Sequence, residues 1–410
     1  MLPDNHPSEE LRGIKSNKLD GKLIVLGVTG SIAAVETVKL ARELIRHGSK
    51  VTAVMSEDSR KIIHPNALEF ATGNKVITEL TGMVEHVAFC GATKHKASLL
   101  LIVPCTANTI SKIACGIDDT PVTTFATTAL GSKIPIIIVP AMHASMYEHS
   151  IVVENIKKLK GRGVEFIDPR IEEGTVKLPA IEEIVARVIR NVWRNDFKGK
   201  KLLVIGGSTI EDIDDVRALI PKSTGKTAIE IAKSAFERGA DVKLLYGIGA
   251  AEKPPNYIET EFFRSVNDLC NKALQFLDST DYDIIIMPAA VSDYTVEKQE
   301  GKISSEKREV VLIKLSQAPK ILPRIRKKFD GYFVGFKLES NVLPEELLER
   351  AYDKLKTENL NLIIANDLKN MRPESNEVLI IDRTKNVISI KARKAQIAEK
   401  ILDKIKEDLS

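Results

Sequence analysis

Small polar residues follow several apolar, strand-like segments of this 410-residue sequence, and their types suit a phosphate-bearing ligand. Gly30 and Ser31 come shortly after an apolar run that ends at Val28. Glycine lets a backbone approach a ligand closely, and a serine hydroxyl with the free N–H groups of a helix start favours an anion. Further small polar residues follow two later strand-like runs, at Ser56, Cys105, Thr106 and Asn108. The carboxyl ends of parallel strands share one sheet edge, so these residues together predict one pocket.

Taken alone, the turn over residues 28–34 is equally consistent with an ordinary capped strand-to-helix junction. It is not a G-x-G-x-x-G turn, so NAD is not the first expectation. A later run over residues 134–139 ends in Pro-Ala-Met-His, which brings His143 to the same predicted edge. Its type and position allow three roles: a catalytic group, a ligand-binding group, or a cap of an ordinary turn.

The second half of the sequence has its own set of such residues. Gly206 and Gly207 end a strand-like run, and an acidic stretch with Arg217 follows them. This pattern suits phosphates and a metal, although the acidic stretch by itself favours a solvated helix start. The stretch Ser-Thr-Gly-Lys at residues 223–226 opens a predicted helix and suits a phosphate.

These residues depend on strands and helices that alternate through the whole chain, which predicts α/β folds with parallel sheets and crossover helices. We expect two Rossmann-like, doubly wound domains over residues 1–195 and 196–410, because the pattern restarts near residue 196. Predicted strands are Lys22–Val28, Lys50–Met55, Ser98–Val103, Ile134–Val139, Val164–Ile167, Lys201–Ile205, Asp241–Tyr246, Asp283–Met287, Tyr332–Phe336 and Leu362–Ala365, with a final hairpin over Glu377–Ile381 and Val387–Ile390. Predicted helices include Ser31–His47, Ala107–Cys115, Ile151–Lys160, Ile181–Arg194 and Gly225–Arg238.

Composition narrows the class of protein. The net charge is only +4 and the basic residues are spread along the chain, so we expect no nucleic-acid partner. Residues 1–20 have no apolar core of signal-peptide length, and no apolar run is long enough for a membrane span. We therefore expect a cytoplasmic protein. The four cysteines form no C-x-x-C pair, which favours reduced thiols over a zinc site.

Four motifs in order carry a family resemblance in the first half: VTGSIAA from Val28, Glu85-His86 before a strand, PCTANTISKIACGI from Pro104, and PAMHASMYEH from Pro140. Over about residues 20–180 the chain resembles the homo-oligomeric flavin-containing cysteine decarboxylases, and in particular the phosphopantothenoylcysteine decarboxylases. The resemblance implies a flavodoxin-like fold and makes His86 the catalytic histidine. It also implies that FMN binds at Gly30, Ser31, Ser56, Cys105, Thr106 and Asn108.

Two departures from the family pattern concern substrate handling. His143 stands where the family has an asparagine that contacts the substrate carboxylate, so we expect His143 to bind that carboxylate. The family's later flap carries a cysteine that donates a proton, whereas the matching stretch over residues 167–179 has none. Cys105, Glu172 and Glu173 are candidate replacements, although the sequence favours solvated loop carboxylates for the two glutamates.

The second half, over about residues 200–405, resembles the phosphopantothenate–cysteine ligases, which are commonly fused behind the decarboxylase in bacteria and archaea. The resemblance implies CTP as substrate, Mg2+ as cofactor and an acyl-cytidylate intermediate. It makes Lys302 the catalytic phosphate-binding residue, and it assigns nucleotide binding to Asp293, Lys320, Phe336 and Lys354. Pro221 departs from the family, which has at this point an asparagine that helps turn over the acyl-cytidylate.

The two resemblances together imply a bifunctional enzyme of coenzyme A biosynthesis. Its substrates would be 4′-phosphopantothenate, cysteine, CTP and 4′-phosphopantothenoylcysteine. A related flavoprotein with another substrate is one alternative, and a non-catalytic flavoprotein regulator is a second. The family further implies trimeric decarboxylase and dimeric ligase contacts, and hence a homo-dodecamer.

Overall fold

A computed structural model describes residues 6–94, 96–172, 175–304 and 310–410 of the chain. The chain forms two compact units, Met1–Arg194 and Asn195–Ser410. In the first unit the strands are β1 Leu23–Val28, β2 Lys50–Met55, β3 Leu99–Cys105, β4 Ile136–Pro140, β5 Met142–His143, β6 Glu165–Phe166, β7 Arg170–Glu172 and β8 Thr175–Lys177. Its helices are α1 Thr37–Arg46, α2 Glu57–Arg60, α3 Pro65–Thr72, α4 Glu85–Cys90, α5 Ala107–Cys115, α6 Pro121–Gly131, α7 Ala144–Tyr147, α8 Ser150–Lys160 and α9 Ile181–Val192, with 3-10 helices at Pro7–Leu11 and Ile32–Glu36.

The main sheet of the first unit is parallel and has the strand order β2-β1-β3-β4-β6. Strands β1, β3 and β4 are almost wholly buried, as their continuous runs of Val, Ile and Leu predict for a sheet covered on both faces. Counted along this sheet alone, the order is the 2-1-3-4-5 order of flavodoxin-like folds. This agrees with the predicted α/β class.

The predicted helix over residues 31–47 begins differently in the structure. A 3-10 helix occupies Ile32–Glu36, and the α-helix starts only at Thr37. The buried hydroxyl of Thr37 donates to the Ala34 carbonyl at 2.6 Å, which supports the tighter turn at this point. Ser31 is the N-cap residue of the 3-10 helix, but its side chain makes no capping hydrogen bond.

In the second unit the strands are β9 Lys201–Ser208, β10 Glu211–Asp212, β11 Ala218–Leu219, β12 Asp241–Ile248, β13 Glu259–Phe263, β14 Ile284–Met287, β15 Tyr294–Val296, β16 Leu315–Gln317, β17 Tyr332–Glu339, β18 Leu362–Asp367, β19 Ser375–Asp382 and β20 Val387–Arg393. Its helices are α10 Lys226–Glu237, α11 Val266–Ser279, α12 Ile321–Arg326, α13 Pro344–Thr357 and α14 Lys394–Asp408, with a 3-10 helix at Leu368–Asn370.

The main sheet of the second unit has the order β13-β12-β9-β14-β17-β18-β19-β20. Its first six strands are parallel and follow the 3-2-1-4-5-6 order of a Rossmann fold, and β19 and β20 add the predicted antiparallel hairpin. The edge strand β13 and the helix α11 are absent from the sequence prediction. β13 is short and only partly buried, so it lacks the continuous apolar run of a central strand.

The acidic stretch after Gly207 is a short antiparallel hairpin of β10 and β11 rather than a helix start. Asp214 explains the difference, because its buried carboxylate accepts hydrogen bonds from the backbone N–H groups of Val216 and Arg217 at 2.7 and 2.6 Å. These bonds close the turn between the two strands.

In the part of the chain that the structure describes, no helix is long and apolar enough to cross a membrane.

Candidate active sites

A cavity of about 710 Å³ lies in the first unit at the carboxyl ends of β1, β3 and β4. This edge is where open α/β sheets bind ligands. It has the size of a small-molecule site, and both polar and apolar side chains line it. The lining residues are Gly30, Ser31, Ile32, Ala33, Val35, Glu36, Thr106, Ala141, Met142, His143, Met146, Arg170, Lys177, Leu178, Pro179, Ala180 and Ile181.

Thr29 holds two of the cavity's walls together, a role that the sequence prediction missed. Its buried hydroxyl donates to the Pro104 carbonyl at 2.8 Å and accepts from the Thr106 N–H at 3.1 Å. The turn after β1 is thereby fixed against the turn after β3. The only sequence signal was the threonine within the first motif, and its partners are more than seventy residues away.

Gly30 and Ser31 line the cavity, as predicted for a ligand-binding turn. A Cβ atom on Gly30 would lie 2.5 Å from the Cβ atom of Asp58, so this close approach requires glycine. Ser56, in contrast, is buried and accepts a hydrogen bond from the Ser59 N–H at 3.3 Å as the N-cap of α2. Ser56 is not among the residues that line the cavity.

The three candidates after β3 have different surroundings. Thr106 lines the cavity, and its hydroxyl caps α5 by accepting from the Thr109 N–H at 3.3 Å. Asn108 is exposed on the first turn of the same helix. Cys105 is fully buried in the hydrophobic core beside residues such as Phe125, and burial raises the pKa of its thiol. The structure therefore does not bring the Cys105 side chain to this cavity.

His143 is exposed at the cavity and belongs to a small sheet with the strand order β5-β8-β7. It pairs with Thr175 of β8, so part of the stretch over residues 167–179, for which the sequence analysis gave no strand after Ile167, is a β-hairpin. His143 precedes α7, but its side chain makes no capping hydrogen bond. Of its three possible roles, the cap is therefore excluded.

One of the two glutamate candidates for a proton donor belongs to the same hairpin. Glu172 is the last residue of β7, and its side chain lies outside the described part of the chain, as does the whole of Glu173. Sequence reasoning missed two basic residues of this hairpin, Arg170 and Lys177, which line the cavity. Isolated basic residues in a charged loop gave no signal, because the β5–β8 pairing is what brings them to the site.

His86 lies on α4, a short helix that begins at Glu85 and precedes β3. It is half-buried and is not among the residues that line the cavity. Within the described residues, its Nδ1 atom is buried and has no hydrogen-bond partner. Buried polar atoms in proteins are nearly always paired, so an Nδ1 atom without a partner is unusual. This nitrogen is not used in a structural hydrogen bond.

The residues at the cavity fit a flavin nucleotide. The hydroxyls of Ser31 and Thr106 and the helix starts beside them suit a phosphate. The apolar side chains of Ile32, Met142 and Met146 suit the faces of a flat ring. Polar and apolar groups therefore occupy the same cavity, as a phosphate-bearing ring compound requires.

In the second unit the structure brings four predicted residues together. Lys320 and Asp293 form an ion pair at 3.3 Å, and the Nζ atom of Lys354 donates to the Phe336 carbonyl at 3.1 Å. Burial lowers the pKa of Lys354, and the charges of Lys337 and Lys320 lower it further, against the opposing charges of Glu358 and Asp293. A partly buried lysine among other lysines creates a positive potential suited to a polyphosphate.

Lys302, the fifth predicted residue, is exposed on a loop that the hairpin of β10 and β11 holds in place. Asp214 accepts from the Ile303 N–H at 3.1 Å, and Asp215 accepts from the Gly301 N–H at 3.1 Å. Burial opposes ionisation of Asp214, but its hydrogen bonds and Arg217 outweigh burial and lower its pKa to about 2. The acidic stretch therefore positions the Lys302 loop.

A cavity of about 180 Å³ in the second unit includes Phe336 and the stretch over residues 222–228, which contains the predicted phosphate-binding residues 223–226. Pro221 immediately precedes that stretch, and its carbonyl accepts from the Ser208 hydroxyl at 2.7 Å. In the described ranges no group of three or more His, Cys, Asp or Glu side chains could hold a metal ion.

Comparisons with known proteins agree with this division of the chain. Residues 12–193 match the family model described as Flavoprotein. Residues 197–409 match the family model described as DNA/pantothenate metabolism flavoprotein C-terminal domain. Among solved structures, the DNA/pantothenate metabolism flavoprotein from Streptococcus pneumoniae has 27% sequence identity and a TM-score of 0.46, over 51% of this chain and 99% of that one.

Two curated relatives match nearly the full chain. The coenzyme A biosynthesis bifunctional protein CoaBC of Thermococcus kodakarensis is 46% identical over 406 residues, which cover 98% of this chain and all of the relative. The protein of the same name from Methanocaldococcus jannaschii is 41% identical over 407 residues, which cover 98% of each chain. These matches confirm the family that the motif order indicated. The chain belongs to the family of coenzyme A biosynthesis bifunctional proteins.

Proposed function

We propose that the two compact units of this bifunctional coenzyme A biosynthesis enzyme each perform one of its reactions. The second unit ligates cysteine to 4′-phosphopantothenate with CTP. The first unit decarboxylates the product, 4′-phosphopantothenoylcysteine, to 4′-phosphopantetheine with FMN. The observation that carries the decarboxylase assignment is the cavity in which Gly30, Ser31, Thr106 and His143 meet at the carboxyl edge of the sheet.

FMN is the flavin that we propose for the first unit, with its phosphate at Gly30, Ser31 and Thr106. Ser56, the N-cap of α2, and Asn108, in the first turn of α5, also belong to the predicted set, although neither lines the cavity. Bound FMN supplies the oxidation of the substrate thiol and the later reduction of the enethiol. Protein yellow on purification, with a flavin absorbance band and FMN released on denaturation, supports this proposal. Colourless protein that takes up no added FMN would contradict the proposal that the first unit binds FMN.

His143 binds the carboxylate that is lost as CO2 in the proposed decarboxylation. A histidine N–H can donate to a carboxylate as the family's amide does, and a protonated ring adds charge to that bond. His86 transfers the protons of the thiol chemistry, because an imidazole can both accept and donate a proton and its buried Nδ1 has no structural partner in the described residues. The basic side chains of Arg170 and Lys177 suit the substrate's phosphate.

In the proposed ligase reaction the pantothenate carboxylate attacks the α-phosphorus of CTP and displaces pyrophosphate. The cysteine amine then attacks the acyl-cytidylate and releases CMP. Lys302, Lys320 and Lys354 neutralise the phosphate charge that develops in the first step. Asp293 and Phe336 bind the nucleoside part. We propose that Mg2+ enters with the triphosphate, as it commonly does in nucleotide sites, since the described residues offer no carboxylate cluster for it.

One experiment tests both assignments. Purified full-length chain is incubated with 4′-phosphopantothenate, cysteine, CTP and Mg2+, and the products are separated by mass. We expect pyrophosphate, CMP and 4′-phosphopantetheine. Accumulation of phosphopantothenoylcysteine would contradict the decarboxylase assignment and favour another substrate for the first unit. Absence of any pyrophosphate would contradict the ligase assignment, and absence of all products would favour a non-catalytic flavoprotein.

We also propose that the chain forms homo-oligomers, with a dodecamer as the expected state. Apolar side chains close to His86 are exposed, and Met83 has 78% of its surface accessible. Such side chains on a folded unit suit a protein interface. Light scattering during gel filtration measures the mass, and a monomeric mass at micromolar concentration would contradict this proposal.

A further inference from the structure

The short helix α4, which carries His86, begins in an unusual backbone conformation. Val84 is its N-cap residue and has φ of 51° and ψ of 48°, in the left-handed region. A β-branched residue rarely adopts this region, because its Cβ atom comes too close to the following carbonyl oxygen. Strain of this kind persists only where the surrounding structure imposes it. Contacts near Val84 must therefore hold it in this conformation.

Burial of side chains does not hold this turn. Residues 81–84 are all exposed, and Val84 has 47% of its surface accessible. Helical hydrogen bonds alone do not hold it either, because α4 has only six residues and so short a helix is not stable by itself. Hydrogen bonds within the turn are therefore the interactions that can fix the start of α4.

Glu85 supplies these hydrogen bonds together with Thr81. The Glu85 carboxylate accepts from the Thr81 hydroxyl at 2.5 Å and from the Thr81 N–H at 3.0 Å, and these two bonds are the largest causes of its lowered pKa. The same hydroxyl accepts from the Met83 N–H at 3.1 Å, and the Val84 N–H donates to the Thr81 carbonyl at 3.1 Å. Hydrogen bonds to an ionised group are roughly twice as strong as neutral ones, so the two Thr81–Glu85 bonds can oppose the strain at Val84.

The other end of α4 is anchored in the core of the first unit. Cys90 is fully buried, and the Phe89 ring stacks on the Phe125 ring of α6 with 6.4 Å between the ring centroids. His86 lies at the opposite end, in the first turn of α4, and its buried Nδ1 has no hydrogen-bond partner among the described residues. Because no bond to that nitrogen fixes the ring, its place follows from the backbone of this first turn.

We propose that Thr81 and Glu85 are positioning residues for His86. Their hydrogen bonds impose the left-handed conformation on Val84, and this conformation sets the direction of the first turn of α4 and the place of the imidazole. The inference rests on the proposed decarboxylase function, in which His86 transfers protons, and adds two residues that act through it. A small displacement of a catalytic group lowers the rate strongly, because proton transfer requires hydrogen-bond distance.

The first test is steady-state decarboxylation of 4′-phosphopantothenoylcysteine by the full-length, flavin-loaded chain. An amide leaves one Thr81 donor without an acceptor, so we expect Glu85→Gln to lower kcat by about 10- to 100-fold, with parental KM and bound flavin. Thr81→Val, which lacks the hydroxyl, should also lower kcat, whereas Thr81→Ser keeps both donors and should be parental. The matched control is Glu69→Gln, because Glu69 is exposed on α3 of the same unit. Parental kcat in both Glu85→Gln and Thr81→Val would overturn the proposal, and Thr81→Val decides it if Glu85→Gln does not fold.

A second substitution separates positioning from a direct role of Glu85 in the chemistry. Glycine adopts the left-handed conformation without strain, so Val84→Gly removes the need for the Thr81–Glu85 bonds. We expect the double variant Val84→Gly, Glu85→Gln to recover most of the kcat that Glu85→Gln loses. A double variant as slow as Glu85→Gln would overturn the proposal.

Amide hydrogen exchange without substrate, followed by mass spectrometry, measures the turn itself. Peptides that cover residues 79–90 should exchange faster in Glu85→Gln than in the parental chain and at the parental rate in Glu69→Gln. Unchanged exchange in Glu85→Gln would overturn the proposal. Faster exchange together with parental turnover in His86→Gln would overturn the proposed role of His86 instead, so the two failures are distinguishable.

Discussion

His143 shows how one residue's chemistry depends on its neighbours. A histidine after a strand suits catalysis, ligand binding or capping, and the structure excludes the cap because the side chain makes no such bond. Its backbone pairs with Thr175 of β8, which sets the imidazole at the mouth of the cavity beside Arg170 and Lys177. We propose that His143 binds a carboxylate at this place, whereas Arg170 and Lys177 suit a phosphate.

We expect His143→Ala to lower kcat/KM for decarboxylation by about 10- to 100-fold, through loss of a charge-assisted hydrogen bond to the carboxylate. Bound flavin should be unchanged, since His143 is only one of many residues around the cavity. Flavin absorbance and CO2 release measure the two effects. His143→Asn, which supplies an amide, should recover most of the activity, and loss of flavin in His143→Ala would show that the histidine has another role.

For His86 we expect a loss of turnover rather than of binding. His86→Gln removes a titrating group while keeping a polar side chain, and removal of a general acid–base group typically costs about 10²- to 10⁴-fold in rate. Single-turnover kinetics with flavin absorbance as the signal measures it. The exposed His149, at the start of α8, provides the control His149→Gln. Equal losses in both variants would contradict the assignment to His86.

At the scale of elements, the first site depends on how two strand ends are joined. β1 and β3 are neighbours in the sheet, and Thr29 links the turns that follow them through its hydroxyl. Thr106 then lies beside Gly30 and Ser31 in one cavity, although more than seventy residues separate them along the chain. Neighbouring parallel strands are not joined by a short turn. The hydrogen bonds of Thr29 therefore supply the link between the two turns that the chain itself does not provide.

The substitution Thr29→Val tests the role of these two hydrogen bonds. Valine keeps the shape of threonine but leaves the Pro104 carbonyl and the Thr106 N–H without the buried hydroxyl, which costs about 1–3 kcal/mol of unfolding free energy. We also expect weaker flavin binding, since the two turns would no longer be fixed together. Urea unfolding and flavin titration measure these effects. A variant with parental stability and parental flavin affinity would show that the two turns hold their places without the hydroxyl.

For the whole molecule, several buried carboxylates of the second unit stay charged because hydrogen bonds and ion pairs outweigh the effect of burial. In the second unit, Asp214 and Asp367 have pKa values lowered to about 2, and Asp382 also has a lowered pKa. Burial alone would raise the pKa of Asp382, but bonds from Thr384 and Asn386 and the ion pair with Lys404 at 3.1 Å outweigh it. Each of these carboxylates fixes a turn or the end of a strand.

A folded-state pKa below the unfolded value gives stability that is present above the unfolded value and lost as pH falls. The ordinary value for Asp214 is 3.8 and its folded value is about 2, so we expect the second unit to lose stability between about pH 4 and pH 2. Calorimetry on the full chain at pH 7 and pH 3 measures this. Asp214→Asn should lower stability at pH 7 and reduce the acid-dependent loss, whereas Asp281→Asn, at an exposed position, should change neither.

Much of the fold is predictable because buried parallel strands are apolar throughout. Continuous apolar runs of this kind indicate buried parallel strands, and they form β1, β3, β4, β9 and β14. Their alternation with helices predicts the α/β class. Edge elements such as β13, which are half exposed, lack that signal. Short pairings such as β5 with β8 lack it as well, because two residues carry no periodicity.

The sequence by itself determined the family, the order of its two regions and the candidate residues of each site. The order of the motifs can be read from the sequence because each motif is a short local segment that does not depend on distant contacts. Tertiary structure alone decided which candidates share a cavity: Thr106 and His143 line it with Ser31, while Cys105 points into the core. It also revealed Thr29, since burial and hydrogen-bond partners depend on contacts between distant segments.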